Sequence, residues 1–367
     1  MRSRFQGSTN RPLRKEVKWR FPLGHRSLAW LGAAALVVAP ASVLAQAPSG
    51  AGAKPSIAAT RAPASKAWTA PLTADGHPDL QGTWSNASLT PFERPKELAG
   101  KEFFTEQEAA EYARRLIDQS NRDRRGATPE EDVNGAYNEA FFDRGTKVAS
   151  NLRTSIVVDP ADGRVPPLTP EGREAAAARA VAQRRRPEGP EDFALPVRCI
   201  MWPTAGPPMV PGGYNNNYQI VQTRDYVAID IEMIHDVRII PLDGRPHMSS
   251  VIGQWMGDSV GHWEGDTLVV DTTNFTDKTH FRGSDRNLHV VERFTRTGAD
   301  TLRYRFTIDD PTAFTKPWTG EIAMSRATGP IYEYACHEGN YSLASMLAGA
   351  RAEEKAEAGE KPRKSSK

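Results

Sequence analysis

Cysteine is scarce in this chain: Cys199 and Cys336 are the only two among 367 residues. In an oxidising compartment, two cysteines predict a single disulfide. The alternative is a nucleophilic thiol at Cys336, beside His337. Adjacent residues of a strand point to opposite faces, so that histidine is badly placed to activate that thiol. We therefore predict the disulfide.

Motifs that identify a reaction are also missing. The histidines and carboxylates show no H-E-x-x-H pattern and the chain has no paired C-x-x-C, so we predict no metal site and no particular cofactor. Residues 257–261 fit the G-x-S-x-G pattern around Ser259. That pattern needs a strand–turn–helix geometry, and here the residues run into another predicted strand. We interpret the match as chance.

The chain has no excess of positive charge once its N-terminus is set aside. It contains 47 Lys and Arg against 45 Asp and Glu. Residues 1–45 hold eight of the basic residues and one acid, Glu16. The remainder has 39 basic and 44 acidic residues, a net charge of −5. This distribution lacks the basic footprint of a nucleic-acid-binding protein, so no nucleic-acid partner is predicted.

The N-terminus has the three parts of a secretory signal. A basic segment, 1–26, precedes an apolar run and the small-x-small terminus at residues 43–45. The alternative is an uncleaved anchor, but the apolar run is shorter than the ~20 residues of a membrane span and Pro40 interrupts it. We predict a signal peptide at 1–45, a periplasmic or secreted location, and no stable membrane span after cleavage.

The rest of the chain divides by composition. Residues 46–75, rich in Ala and Pro, predict a disordered linker; 76–350 predict one β-rich domain with a helical N-terminal part; 351–367 predict a disordered charged tail. Three helices are expected: one capped by Thr105 with Glu108 completing a capping box, one beginning at Thr169-Pro170, and one over 342–357. A polar loop is expected at 121–135.

Hairpin signals fill residues 214–334. Residues 302–308 alternate strictly between apolar and polar, which is typical of a half-buried strand. Roughly ten such strands predict a mainly β fold, an antiparallel meander forming a barrel-like or sandwich domain with two or three peripheral helices. Glu292 lies on the apolar side of the strand at 288–294. It is either ion-paired with an arginine or a site carboxylate facing the barrel interior.

The leading functional hypothesis is an exported protein that binds a small organic ligand in a pocket lined by Trp, Asn, Glu and His. The ligand-binding candidates are Tyr214, Asn216, Asn217, Trp255, Trp263 and Arg282. The tryptophans could instead be core residues, and the Asn run turn chemistry. The alternative function is an extracytoplasmic hydrolase, lyase or isomerase with a Glu/His acid–base pair, in a metal-free or a metal-assisted version. Its candidates are Glu232, His235, Glu292, His289 and His337.

Distinctive motifs carry a resemblance over about residues 76–350. They include PDLQGTW at 78–84, YNNNYQIVQ at 214–222 and GHWEGDTLVVDTTNF at 261–275. These segments resemble an uncharacterised family of secreted bacterial proteins, which implies an extracytoplasmic location and no particular reaction. Separately, the Gly82-Thr-Trp84 sequence is similar to the G-x-W of lipocalins, in which Trp closes one end of a barrel. That similarity favours a barrel.

Overall fold

The computed structural model describes residues 68–360 except 125, 127 and 136. The predicted signal peptide, most of the predicted linker and the last seven residues lie outside the described residues. The strands are β1 (Gly82–Ser85), β2 (Val157–Asp159), β3 (Asn217–Gln222), β4 (Tyr226–Ile231), β5 (Val237–Pro241), β6 (Asp258–Glu264), β7 (Thr267–Thr273), β8 (His289–Gly298), β9 (Thr301–Asp309) and β10 (Trp318–Arg326).

These strands form one antiparallel sheet, in the order β5-β4-β3-β1-β10-β9-β8-β7-β6, with β2 added on β10. Five consecutive strands, β6 to β10, and three, β3 to β5, are meanders joined by hairpins. β1 comes from the start of the domain and joins the two meanders. The sheet curls until it is nearly closed, so the predicted β-barrel-like fold is confirmed.

The inside of this barrel is packed with side chains. In β9 the buried residues are Leu302, Tyr304, Phe306 and Ile308, the apolar set of the predicted alternation. The largest fully buried side chains of the whole described part are aromatic: Trp84, Trp318, Tyr218, Tyr304, Phe294 and Phe306. Dense aromatic packing stabilises the barrel and leaves its centre filled, so space for a ligand lies at its end or along its edge.

The edge strands β5 and β6 face each other across a seam. Gly261 of β6 lies so close to β5 that a Cβ there would be 2.8 Å from Ile240 Cγ2 and 2.9 Å from Leu242 Cδ2. Side chains of Ile240 and Leu242 therefore close this end of the seam by packing onto a glycine backbone. The other end, near Arg238 and Ser259, opens into a cleft.

Four α-helices occur among the described residues. They are α1 (Glu106–Ser120), α2 (Pro129–Gly135), α3 (Pro170–Gln183) and α4 (Ser342–Glu360). Thr105 and Glu108 form the predicted capping box of α1. The short helix α2 lies where a polar loop was expected, and α4 continues to Glu360. No described helix is both long enough and apolar enough to cross a membrane.

The disulfide prediction is confirmed. Cys199 and Cys336 are bonded, with their Cα atoms 5.7 Å apart and a sequence separation of 137. The bond joins the Pro-rich segment before β3 to the chain that leads from β10 to α4. It thereby holds two irregular segments, neither of which belongs to the sheet, against each other.

Candidate functional site

Glu292 lies inside the barrel in an ion pair. Its carboxylate accepts hydrogen bonds from Arg238 Nη1 and Nη2, at 3.0 and 2.5 Å, and from the Tyr304 hydroxyl at 2.8 Å. The side chains of Glu292 and Arg238 are 0% and 2% exposed. Burial, with the nearby Glu292 carboxylate, raises the pKa of Tyr304 well above its ordinary value. The arginine explanation for this carboxylate is therefore the one that the structure shows.

Ser259 belongs to the same buried network. Its hydroxyl accepts a hydrogen bond from Arg238 Nη2 at 3.2 Å and lies 2.9 Å from Thr272 Oγ1. In the part of the chain that the structure describes, no histidine is hydrogen-bonded to it, so the base that a nucleophilic serine requires is missing. The serine of the G-x-S-x-G pattern, Ser259, therefore forms structural hydrogen bonds.

Hydrogen bonds formed by Glu232, Asn216 and Asn217 stabilise one end of the barrel. Glu232 Oε2 accepts from the Asn217 backbone N at 3.2 Å and from its Nδ2 at 2.9 Å. Asn216 is buried, donates to the carbonyls of Asp143 and Gly212, and accepts from the Gly212 N–H. Their polar groups are used within the protein, as hydrogen-bond accounting demands of buried groups. Neither Glu232 nor Glu292 lines any cleft described below.

His235 is part of the β4–β5 turn. Both Ile234 and His235 have left-handed φ angles, 70° and 63°, which turns the His235 ring outward. The ring Nδ1 accepts a hydrogen bond from the Tyr334 backbone N at 2.9 Å. His235 thus anchors the C-terminal segment to the barrel.

Three other candidates occupy separate places. The Trp263 ring stacks on His77, with centroids 4.8 Å apart and planes 6° apart. The guanidinium of Arg282 lies 3.5 Å from the centre of the Phe92 ring, a cation–π contact. His337 is exposed. The sequence-based candidates are therefore distributed over the barrel and do not converge on one cavity.

His289 is part of a chain of hydrogen bonds on the outer face of β6, β7 and β8. Its Nε2 lies 2.9 Å from Asp271 Oδ2, and the other Asp271 oxygen is 2.8 Å from His247 Nε2. His247 Nδ1 in turn is 3.1 Å from Asp258 Oδ2. The ring nitrogens and carboxylate oxygens of this chain are hydrogen-bonded to one another. In residues 68–360, with their gaps, no group of three or more His, Cys, Asp or Glu residues could hold a metal ion.

This chain of hydrogen bonds makes the stability of the fold depend on pH. The hydrogen bond from Asp271 raises the pKa of His289 above 6.5, while the same bond, together with that of His247, lowers the pKa of Asp271 below 3.8. A histidine whose pKa is raised in the folded state stabilises the fold fully below pH 6.5. This stabilisation is lost as pH rises through the folded-state pKa. A carboxyl group whose pKa is lowered in the folded state stabilises the fold above pH 3.8. This stabilisation is lost as pH falls through the folded-state pKa.

We expect Asp271→Asn to reduce the decline in stability between pH 6 and pH 8. Because both side chains are about one-third exposed, the effect should stay under about 1 kcal/mol. Urea unfolding at both pH values measures it, with Asp266→Asn, in an exposed turn, as the control. An Asp271→Asn protein with the wild-type decline would contradict this origin of the pH dependence.

The open end of the seam forms a cleft of about 610 Å³, which we call the seam cleft. Trp255, a predicted ligand-binding residue, is in its wall. The remaining lining residues are Ile200, Asp236, Val237, Arg238, Ile239, Met248, Gly253, Gln254, Met256, Gly257, Asp258 and Ser259. The buried Arg238 side chain thus lines a surface opening.

A second cleft, of about 790 Å³, lies beside the disulfide, and we call it the aromatic cleft. Its lining residues are Tyr137, Pro196, Val197, Trp202, Asn215, Glu333, Tyr334, Ala335, Cys336, Asn340, Ser342 and Met346. Tyr214 packs behind it against Trp202, with ring centroids 6.0 Å apart. Burial, with Tyr214 and Tyr137 nearby, raises the pKa of Tyr334.

The hydrogen bonds of Asn340 connect the disulfide to this cleft. The Asn340 side-chain amide lies 3.4 Å from Cys199 Sγ and 3.5 Å from the Val197 carbonyl oxygen. The wall is therefore cross-linked both covalently and by hydrogen bonds. Tyr137, Trp202 and Tyr334 come from three distant segments, and no local pattern in the sequence links them. The predicted disulfide and the candidate Tyr214 were the sequence-based indications of this place.

Compared with known proteins, the chain matches no family model and no curated protein.

Proposed function

We propose that the protein binds a small organic molecule in the aromatic cleft. The observation that carries this proposal is the presence of three aromatic rings around one open cleft. Tyr137 is 60% exposed, and Trp202 and Tyr334 are half-buried. Apolar walls with a few polar groups at the rim are what small-molecule sites share.

The polar groups of the cleft define the ligand further. Asn215 supplies an amide and Glu333 a carboxylate, so hydroxyl groups on a ligand could both donate and accept. The rings of Trp202 and Tyr137 favour a flat apolar face. The ligand class is therefore a molecule with one aromatic or sugar-ring face and several hydroxyl groups. The cleft is wide open, which suits reversible capture.

The enzymatic alternative remains a prediction. Of its candidate carboxylates, Glu292 accepts hydrogen bonds from Arg238 and Tyr304 inside the barrel. Glu232 accepts a hydrogen bond from Asn217. Both would have to give up internal hydrogen bonds before they could accept a substrate proton. Binding by the aromatic cleft requires no such rearrangement.

Phenyl β-glucoside is a suitable probe, because it combines an aromatic ring with four hydroxyl groups. We expect measurable binding by isothermal titration calorimetry, and at least a tenfold weaker Kd for Tyr137→Ala, equivalent to ~1.4 kcal/mol. Tyr341→Ala is the matched control, since Tyr341 is 79% exposed and does not line the cleft.

Two results would count against the proposal. One is the absence of binding by wild-type protein to phenyl β-glucoside and to cellobiose, which would exclude the proposed ligand class. The other is binding that Tyr137→Ala and Trp202→Ala leave unchanged while both variants unfold at the wild-type temperature. The second result would place the ligand elsewhere on the molecule.

A further inference from the structure

Asp236 is an unusual carboxylate in the wall of the seam cleft. It is the residue immediately before β5, and its side chain is half-buried. Within the described part of the chain, no hydrogen bond or ion pair reaches this side chain. A carboxylate that loses water without gaining a partner destabilises the fold, so its position calls for a function.

The charges around the cleft leave Asp236 unbalanced. Arg238 lines the cleft, but its charge is matched by the bidentate contact with Glu292 behind it. Asp258 also lines the cleft and is bonded to His247. Even with His247 protonated, these groups contain two cations and three carboxylates. The cleft therefore has one negative charge that the protein itself does not neutralise.

We propose that the seam cleft binds a small organic ammonium ion, with its charge beside Asp236 and its apolar body against the cleft wall. This site is separate from the aromatic cleft and does not depend on the function proposed there. Charge complementarity selects the cation. The size of the cleft, about 610 Å³, suits a small molecule.

The wall of the cleft has the matching apolar chemistry. Trp255 offers an aromatic face, the side chain to which organic cations bind best. Met248 and Met256 add polarisable, adaptable surface, and Ile239 extends it. An inorganic cation would gain nothing from these groups, whereas an alkyl- or benzyl-ammonium ion would bury its carbon atoms against them.

Two further features support the binding of a cation by carboxylates of the protein at this place. Burial raises the pKa of Asp236, with no hydrogen bond or neighbouring cation to oppose that effect. For Asp258, the Met248 backbone N donates to Oδ2 at 2.7 Å, and His247 Nδ1 lies 3.1 Å from the same oxygen. Among the described residues no hydrogen bond reaches Oδ1 of Asp258, so this oxygen of a cleft-lining residue keeps its capacity to accept one from a ligand.

The test compares ligands that differ in charge. Binding of benzyltrimethylammonium and benzylammonium is measured by calorimetry on the full protein, against benzyl alcohol and benzenesulfonate. We expect at least one of the two cations to bind at least tenfold more tightly than benzyl alcohol, and benzenesulfonate not to bind. Asp236→Asn should abolish the preference for the cation, since it removes the charge and retains the shape.

Folding can be checked in the same variant. Because Asp236→Asn removes an uncompensated charge, it should unfold at the wild-type temperature or above it. Asp266→Asn, in an exposed turn, is the matched control and should retain the preference, as should Tyr137→Ala in the aromatic cleft. Equal affinity for the cations and benzyl alcohol, or an unchanged preference in Asp236→Asn, would overturn the proposal.

Discussion

Replacing Glu292 by Gln is expected to lower the free energy of unfolding by about 3–5 kcal/mol. The substitution leaves the Arg238 guanidinium charged, 2% exposed and without its counter-ion inside the barrel wall. Tyr304 would also lose the carboxylate oxygen that accepts the hydrogen bond of its hydroxyl, with an oxygen–oxygen distance of 2.8 Å. Urea denaturation followed by tryptophan fluorescence measures the change, provided that the slope of the transition remains that of the wild type.

Two further variants make this prediction specific. The double replacement of Arg238 by Met and Glu292 by Leu should recover most of the loss, because it removes both charges and retains their volume. Glu264→Gln breaks an exposed ion pair with Arg293 and should cost less than about 1 kcal/mol. Equal losses for Glu292→Gln and Glu264→Gln would show that burial of the interior pair contributes nothing.

The position of Glu292 also shows how far sequence alone could reach. The phase of the strand at 288–294 that contains Leu288, Val290 and Phe294 also contains Glu292, and an arginine partner for this carboxylate was one of two expectations. The identity of that partner could not be predicted. Arg238 is 54 residues away and reaches Glu292 only because the sheet curls until β5 faces β6. Curvature of a sheet depends on all of its strands, and no local pattern encodes it.

The candidate site was harder to predict than the fold. A run of Asn residues suggested ligand-binding groups, and Glu232 was a candidate for acid–base chemistry. In the structure Asn217 and Glu232 are hydrogen-bonded to each other, and Asn216 is hydrogen-bonded to the backbone. Polar residues at turns serve structure as often as ligands, and composition does not separate the two. The rings of the aromatic cleft come from segments as distant as Tyr137 and Tyr334. Only the folded chain brings them together.

Removing the disulfide should also have a large effect. In the chain-entropy model, a bond that closes a loop of 137 residues stabilises the folded state by about 4–5 kcal/mol, which is an upper value. We expect the double replacement of Cys199 and Cys336 by Ser to lower the free energy of unfolding by about 2–5 kcal/mol in urea. Dithiothreitol should produce the same loss in the wild type and no loss in the double variant.

The same variant links stability to the two clefts. Cys336 lines the aromatic cleft, and the Asn340 amide contacts Cys199, so loss of the bond frees one wall of that cleft. Binding of phenyl β-glucoside should therefore weaken at a temperature where the variant is still folded. Neither cysteine lines the seam cleft, so its preference for benzylammonium over benzyl alcohol should persist. If both binding activities declined together, the bond would be supporting the whole barrel, and the aromatic cleft would have no special dependence on it.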